Sequence, residues 1–316
     1  MRVYWTDRGG KGAPIEARFS TVPFDATHPK VVHAKFETTL PPPKTIRVKK
    51  RTFLPDKDAW ISIVKSALKT ALPKVVLARS QILELEETPD PFALAASLKA
   101  QIENSYLICI QEGNRAFLSA TPERLFRRYG NQIESEAMAG TRKRGNTMKE
   151  DEKLGSELLK SKKDLSEIEP VQDFLKTQLF PFCEKPPHFS PISLHRTKNV
   201  QHLYATCEGE LQSGVDDREL LKALHPTPAL CGTPKEKALD LIRTLEPFDR
   251  GLYGGAIGWQ TADTSEWIVG IRSCLIEGNI AYLYAGCGIV QGSDPEEEWE
   301  ELNHKTKLYE RIFLDH

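Results

Sequence analysis

Carboxylates at helical spacing are the first residues in this chain that could do chemistry. Glu298, Glu301 and Lys305 fall at i, i+3 and i+7, a single stripe down a C-terminal helix. That helix starts strongly: Asp294 suits the N-cap, Pro295 the first helical position and Glu297 the third, the pattern of a capping box. Beside the charged stripe runs a largely apolar one, Trp299, Leu302, Thr306, Tyr309 and Phe313, which marks the core side. A second carboxylate pair, Asp164 and Glu167, repeats the i, i+3 spacing on a long middle helix. Carboxylates from two elements suffice for magnesium, which takes oxygen ligands and keeps waters and substrate oxygens in its shell. With 44 acidic residues in the chain, such pairs also arise by chance, so each stripe alone reads more readily as a solvated face.

The elements that must position these groups follow from periodicity. Helices are expected over residues 57–70, 92–102 and 235–245, and strands over 74–79, 106–110, 116–119, 125–129 and 200–206. Residues 147–179 have helical spacing, with Leu154, Leu158, Leu165 and Ile168 on one side; Pro170 is expected to kink or restart that helix. Residues 267–276 read as one strand, followed by a hairpin at Gly278-Asn279, a strand over 280–285 and the last helix. His188 and His195 are expected in a loop. Sheets mixed with helices, without regular βαβ alternation, predict an α+β (mixed α/β) layered fold.

Composition excludes several classes. The 43 basic and 44 acidic residues nearly cancel, so no global field draws the protein to nucleic acid or an anionic membrane. The basic run 44–51 alternates with apolar residues and reads as a solvated strand face. Six scattered cysteines show no metal spacing and suit reduced, buried thiols in a cytoplasmic protein. No apolar run is long enough to span a membrane, and residues 1–11 lack the apolar stretch of a secretory signal.

Several ordered segments resemble the chorismate-binding enzymes: the isochorismate, salicylate, anthranilate and aminodeoxychorismate synthases. They are Lys74-Val-Val-Leu-Ala-Arg79, Ser119-Ala-Thr-Pro-Glu-Arg-Leu125, Glu136-Ala-Met-Ala-Gly-Thr141, Val200-Gln-His-Leu203 and His225-Pro-Thr-Pro-Ala-Leu-Cys-Gly232. Trp267-Ile-Val-Gly-Ile-Arg272, Tyr284-Ala-Gly-Cys-Gly-Ile-Val290 and Ser293-Asp-Pro-Glu-Glu-Glu-Trp299 complete the set. The resemblance covers about residues 74–313. It implies two antiparallel-rich sheets packed together and flanked by helices, with residues 1–73 a shortened N-terminal part and 74–316 the catalytic region.

The resemblance also implies roles. Lys74 would be the base that activates water and Glu123 the acid that assists the departing hydroxyl. Glu167, Glu298 and Glu301 would hold Mg²⁺, with Asp164 in or behind that shell. Arg272 would grip a substrate carboxylate, and Gly140, Thr141, His202, Thr227, Tyr284, Gly286, Gly288 and Lys305 would line the pocket. Read without the family, Lys74 is a strand-edge charge, Glu123 a partner for Arg124, His202 a satisfied core histidine, and Arg272 an arginine stacked on Trp259 or Trp267. Lysine at position 74 and its neighbours look most like isochorismate synthases of menaquinone biosynthesis, then those of siderophore pathways. Salicylate synthase is the enzymatic alternative. Chorismate is the implied partner, and no glutaminase is expected.

Overall fold

The computed structural model describes residues 1–316 except Ile15, Thr27, His28, Asn199 and His316. Two large sheets dominate, one of ten strands and one of nine among the described residues. At the centre of the first, Lys74–Leu85 pairs antiparallel with Ile280–Val290, which pairs with Ser273–Glu277, then Arg115–Thr121 and Tyr106–Glu112. In the second, Val200–Glu210, Gln132–Lys143, Arg124–Tyr129, Thr264–Val269 and Ala256–Gln260 follow one another. Nearly every pairing is antiparallel, as the α+β reading expects.

Residues 106–112 show why the sheets stack. Leu107 and Cys109 join the core beneath the helix Pro91–Lys99, whereas Tyr106, Ile108 and Ile110 join the core against the second sheet. Period-two alternation along an unbroken apolar run thus buries both faces. Between the sheets Trp5 meets Phe19 and Tyr106 edge-on at 6.5 and 6.0 Å, pairs each worth about 0.5–1.5 kcal/mol beyond their buried area.

Two connections cross from sheet to sheet side by side. Arg115–Thr121 leaves the first sheet and, after Pro122-Glu123, enters the second as Arg124–Tyr129. Thr264–Val269 returns through Gly270-Ile271-Arg272 to Ser273–Glu277 in the first. The single strand expected over 267–276 is therefore two strands in different sheets. The apolar run hides the corner, which Gly270 and a left-handed Arg272 (φ +48°) create.

Other expectations shift locally. The helix over 147–179 breaks at Ser161, not at Pro170. Ser161 is extended (ψ 111°) and its side chain caps the helix Lys162–Leu179 by accepting from the Asp164 amide at 3.3 Å. Pro170 sits inside that helix on its exposed side, where water can satisfy the carbonyl one turn earlier. His188 and His195 lie in short strands, His188–Phe189 and Ser193–Arg196, paired to Val200–Glu210. The Asp294 carboxylate accepts from the amides of Glu296 and Glu297, which supplies half of the expected capping box.

Residues 1–73 feed both sheets. Arg2–Thr6 and Ile46–Leu54 join the first, and Arg18–Val22 and Lys30–Val32 the second. No helix among the described residues is long and apolar enough to cross a membrane, and all six cysteines are buried and free.

Candidate active site

The paired corners place an acid beside a guanidinium. The Val269 amide donates to the Glu123 carbonyl at 3.1 Å, and the Ala120 amide donates to the Arg272 carbonyl at 3.1 Å. Ser119 Oγ adds 2.6 Å to the Ile271 carbonyl and Tyr309 Oη 2.9 Å to that of Arg272. The uncommon backbone of Arg272 is thus held by its neighbours, as strained positions at functional sites are. Its side chain is neither stacked on tryptophan nor ion-paired among the described residues; it faces a cavity of about 200 Å³.

That cavity gathers most of the residues singled out from sequence. Glu123, Gly140, Thr141, His202, Arg272 and Tyr284 line it, together with Gly286 and Lys305. The strand Gln132–Lys143 bulges between Ala139 and Arg142, with Gly140 at φ +62°, which turns its backbone into the cavity. A Cβ at Gly140 would come within 2.9 Å of Asp164. His202 Nδ1 lies 3.0 Å from the Gly140 carbonyl, so the proton sits on Nδ1; burial pushes its pKa down to about 4 and keeps the ring neutral. His202 is both locally satisfied and on the cavity. Tyr284 stacks on Tyr253 at 5.3 Å, and Lys305 Nζ donates to the Gly286 carbonyl at 2.7 Å.

Lys74 begins its strand half-buried, opposite Val290. Its stem lies over Gly288, where a Cβ would stand 2.8 Å from Lys74 Cε. The missing side chain at Gly288 leaves room that the Lys74 stem occupies. At Gly286 the Tyr253 hydroxyl fills the same space, 2.6 Å from where a Cβ would be. Burial lowers the Lys74 pKa, opposed by Glu167 and Glu123 and assisted by Lys305. Behind the strand, Glu246 accepts from the Ala78 amide at 2.7 Å. Arg250 donates to the Val76 and Leu230 carbonyls at 2.7 and 2.8 Å, tying Lys74's strand to the loop bearing Thr227. Thr227 is buried, and its hydroxyl has no partner among the described residues. It shares a smaller cavity with Glu123.

Glu123 retains some open surface, but enclosure pushes its pKa up to about 7, with a further contribution from the nearby Glu136 carboxylate. Glu136 stays ionised because Arg124 and Arg8 grip it at 2.7 and 2.8 Å, and Tyr204 donates to it at 2.9 Å. Arg124 therefore pairs behind the site and not with Glu123. Arg8 also donates to the Pro122 carbonyl, fixing the residue before the acid. Sequence reasoning missed Arg8, Tyr253 and Arg250, which no spacing links to the site, and it gave Glu136 no role. Glu136→Gln is expected to lower the Glu123 pKa, since a negative neighbour goes and two arginines lose their counter-charge. Activity at neutral and alkaline pH should fall as the acid form disappears at lower pH. Breaking the buried pair should also destabilise the fold by roughly 3–5 kcal/mol, measured by denaturant titration.

The carboxylates expected to hold metal stand on two helices. Glu167 is exposed on Lys162–Leu179; Glu298 and Glu301 lie on Pro295–Glu310, where Glu301 pairs with Lys305 at 2.6 Å. Asp164 is not among the open ones: it is buried and bound by Arg142 at 2.8 Å. No three metal-ligating side chains converge among the described residues. Carboxylate oxygens are the ligand type that a hard cation such as magnesium uses. These carboxylates act electrostatically on the site residues, Glu167 on Lys74 and Glu301 on Arg272.

Glu123, with its raised pKa, and the unpaired Arg272 guanidinium line one cavity, and the charges of Glu123 and Lys74 act on each other. The chain belongs to the chorismate binding enzyme family, which it matches over residues 24–312. It is 40% identical over 263 residues to the isochorismate synthase MenF of Bacillus subtilis (strain 168), covering 80% of this chain and 55% of that one. It is also 40% identical over 277 residues to isochorismate synthase 2, chloroplastic, of Arabidopsis thaliana, covering 84% and 49%. The chain thus spans about half the length of these relatives. The structure of MenF, the menaquinone-specific isochorismate synthase from Escherichia coli, superposes with a TM-score of 0.89 at 26% identity, covering 99% of this chain and 88% of that one.

Proposed function

We propose that this protein is a magnesium-dependent isochorismate synthase. The observation that carries this reading is a shifted acid and a shifted base that act on each other: Glu123, on the cavity wall and pushed up to about 7, and Lys74, half-buried over Gly288 and pushed down by burial. Each is moved toward the form that the reaction needs.

Arg272, unpaired at the corner, grips a substrate carboxylate in the bidentate manner of guanidinium. Gly140 and Thr141 offer backbone and hydroxyl groups, and the free Thr227 hydroxyl a further donor. A water gives its proton to the Lys74 amine as its oxygen bonds C2 of chorismate. The ring electrons shift, the C4–O bond breaks, and Glu123 protonates the departing hydroxyl, which leaves as water. No co-substrate is consumed, so the reaction runs both ways. Glu167, Glu298 and Glu301 would hold Mg²⁺, which when bound neutralises and fixes the ring carboxylate. Residues 74–316 supply the reacting groups, with Arg8 reaching in from the N-terminal part.

The test is to incubate the purified protein with chorismate and Mg²⁺ and resolve the products chromatographically. Isochorismate alone is expected, and its formation should stop on chelation and return with added Mg²⁺. Salicylate with pyruvate would identify a salicylate synthase, and an amine product dependent on ammonia would identify an aminating synthase. No product under any of these conditions would sink the enzyme reading.

A further inference from the structure

A groove of about 670 Å³ adjoins the catalytic cavity and shares Pro122, His202, Arg272 and Lys305 with it. Its outer walls carry Lys143, Lys198, Lys307 and Arg311, all exposed. None of the four forms an ion pair among the described residues, although surface cations elsewhere do, as in Lys57–Glu296 and Arg115–Glu277. Two are held by neutral acceptors: Lys198 donates to the Ala100 carbonyl at 3.1 Å, and Arg311 to the Gln101 side chain at 2.8 Å. These contacts fix the positions of the charges without cancelling them. With Arg272, five cations without an ion pair face two carboxylates, Glu103 and Glu310, across the groove; Lys305, also on its wall, is paired with Glu301. The whole chain has a net charge of −1, so this excess is local.

We propose that this groove is the entry vestibule of the site, which draws a dicarboxylate substrate toward Arg272 and Lys305. The proposal rests on the chorismate reading and adds the route and the residues that govern encounter. Concave walls of one charge sign focus the field and raise the local concentration of an oppositely charged ligand. The unpaired cations lie outside the reacting groups, so they act on capture and not on the chemical step.

The test is a Lys143→Gln, Lys198→Gln, Lys307→Gln triple variant, assayed for isochorismate formation with Mg²⁺ at low and high ionic strength. At low salt kcat/KM should fall about tenfold through KM, while kcat stays within about twofold. High salt should erase the difference, because screening shortens the field to a few ångströms. A control triple of equal charge on a distant strand and helix, Lys49→Gln, Lys50→Gln, Lys65→Gln, should match the parent throughout. An unchanged kcat/KM and salt slope in the first variant, or an equal loss in the control, would overturn the vestibule while leaving the enzyme reading intact. A parent protein that makes no isochorismate would overturn both.

Discussion

Lys74→Met is expected to lose roughly 10²–10⁴-fold in kcat for isochorismate formation, with KM changed far less. Methionine keeps an unbranched stem over Gly288, so the variant removes the amine without opening a cavity where Lys74 Cε packs. It also removes a partly buried cation whose pKa burial already depresses. The variant should therefore fold at least as stably as the parent, which separates lost chemistry from lost structure. Steady-state kinetics with a thermal melt decide it. Activity within tenfold of the parent would mean that another group activates the water.

Glu123→Gln should separate function from stability more sharply. Loss of the acid should lower kcat by roughly 10²–10⁴-fold across the pH range. The effect on stability has the opposite sign. In the folded protein Glu123 holds its proton until about pH 7, whereas in the unfolded chain a glutamate releases it near about 4.3. Between those values the folded state binds more protons than the unfolded one, so the wild type loses stability as pH rises and levels off above about 7. Glutamine has no such penalty. The variant should match the wild type at about pH 4 and exceed it by about 3 kcal/mol at about pH 8, read from denaturant unfolding at both pH values. A variant that is equally stable or weaker at the higher pH would contradict the strained, proton-holding acid on which the mechanism depends.

Much of the site was legible because its residues lie in short ordered segments. Lys74, Glu123, Arg272 and the glycines of 286–288 sit in strand ends and corners whose sequences carry the family resemblance. What spacing could not show is how corners form. The apolar run 267–276 looks continuous, and only the fold reveals that Gly270 and Arg272 turn it from one sheet into the other. Long-range partners were equally hidden. Arg8 reaches Glu136 across 128 residues of chain, and Arg250 reaches Val76 across 174, distances over which periodicity carries no information. Pro170 does not end the helix: Lys162–Leu179 runs through it on the exposed side, where water can reach the carbonyl left without its donor. The i, i+3 carboxylates were only half informative. Glu167 is exposed, Glu298 half-exposed and Glu301 exposed but paired with Lys305, while Asp164, at the same spacing, is buried and bound by Arg142.

The most direct test of the account follows the oxygen. Isochorismate formed from chorismate and Mg²⁺ in heavy-oxygen water, quenched early in the reaction, is analysed by mass spectrometry. Attack by a Lys74-activated water at C2 predicts one solvent oxygen in the product, at the new hydroxyl. Isochorismate whose hydroxyl carries the original oxygen would contradict that mechanism.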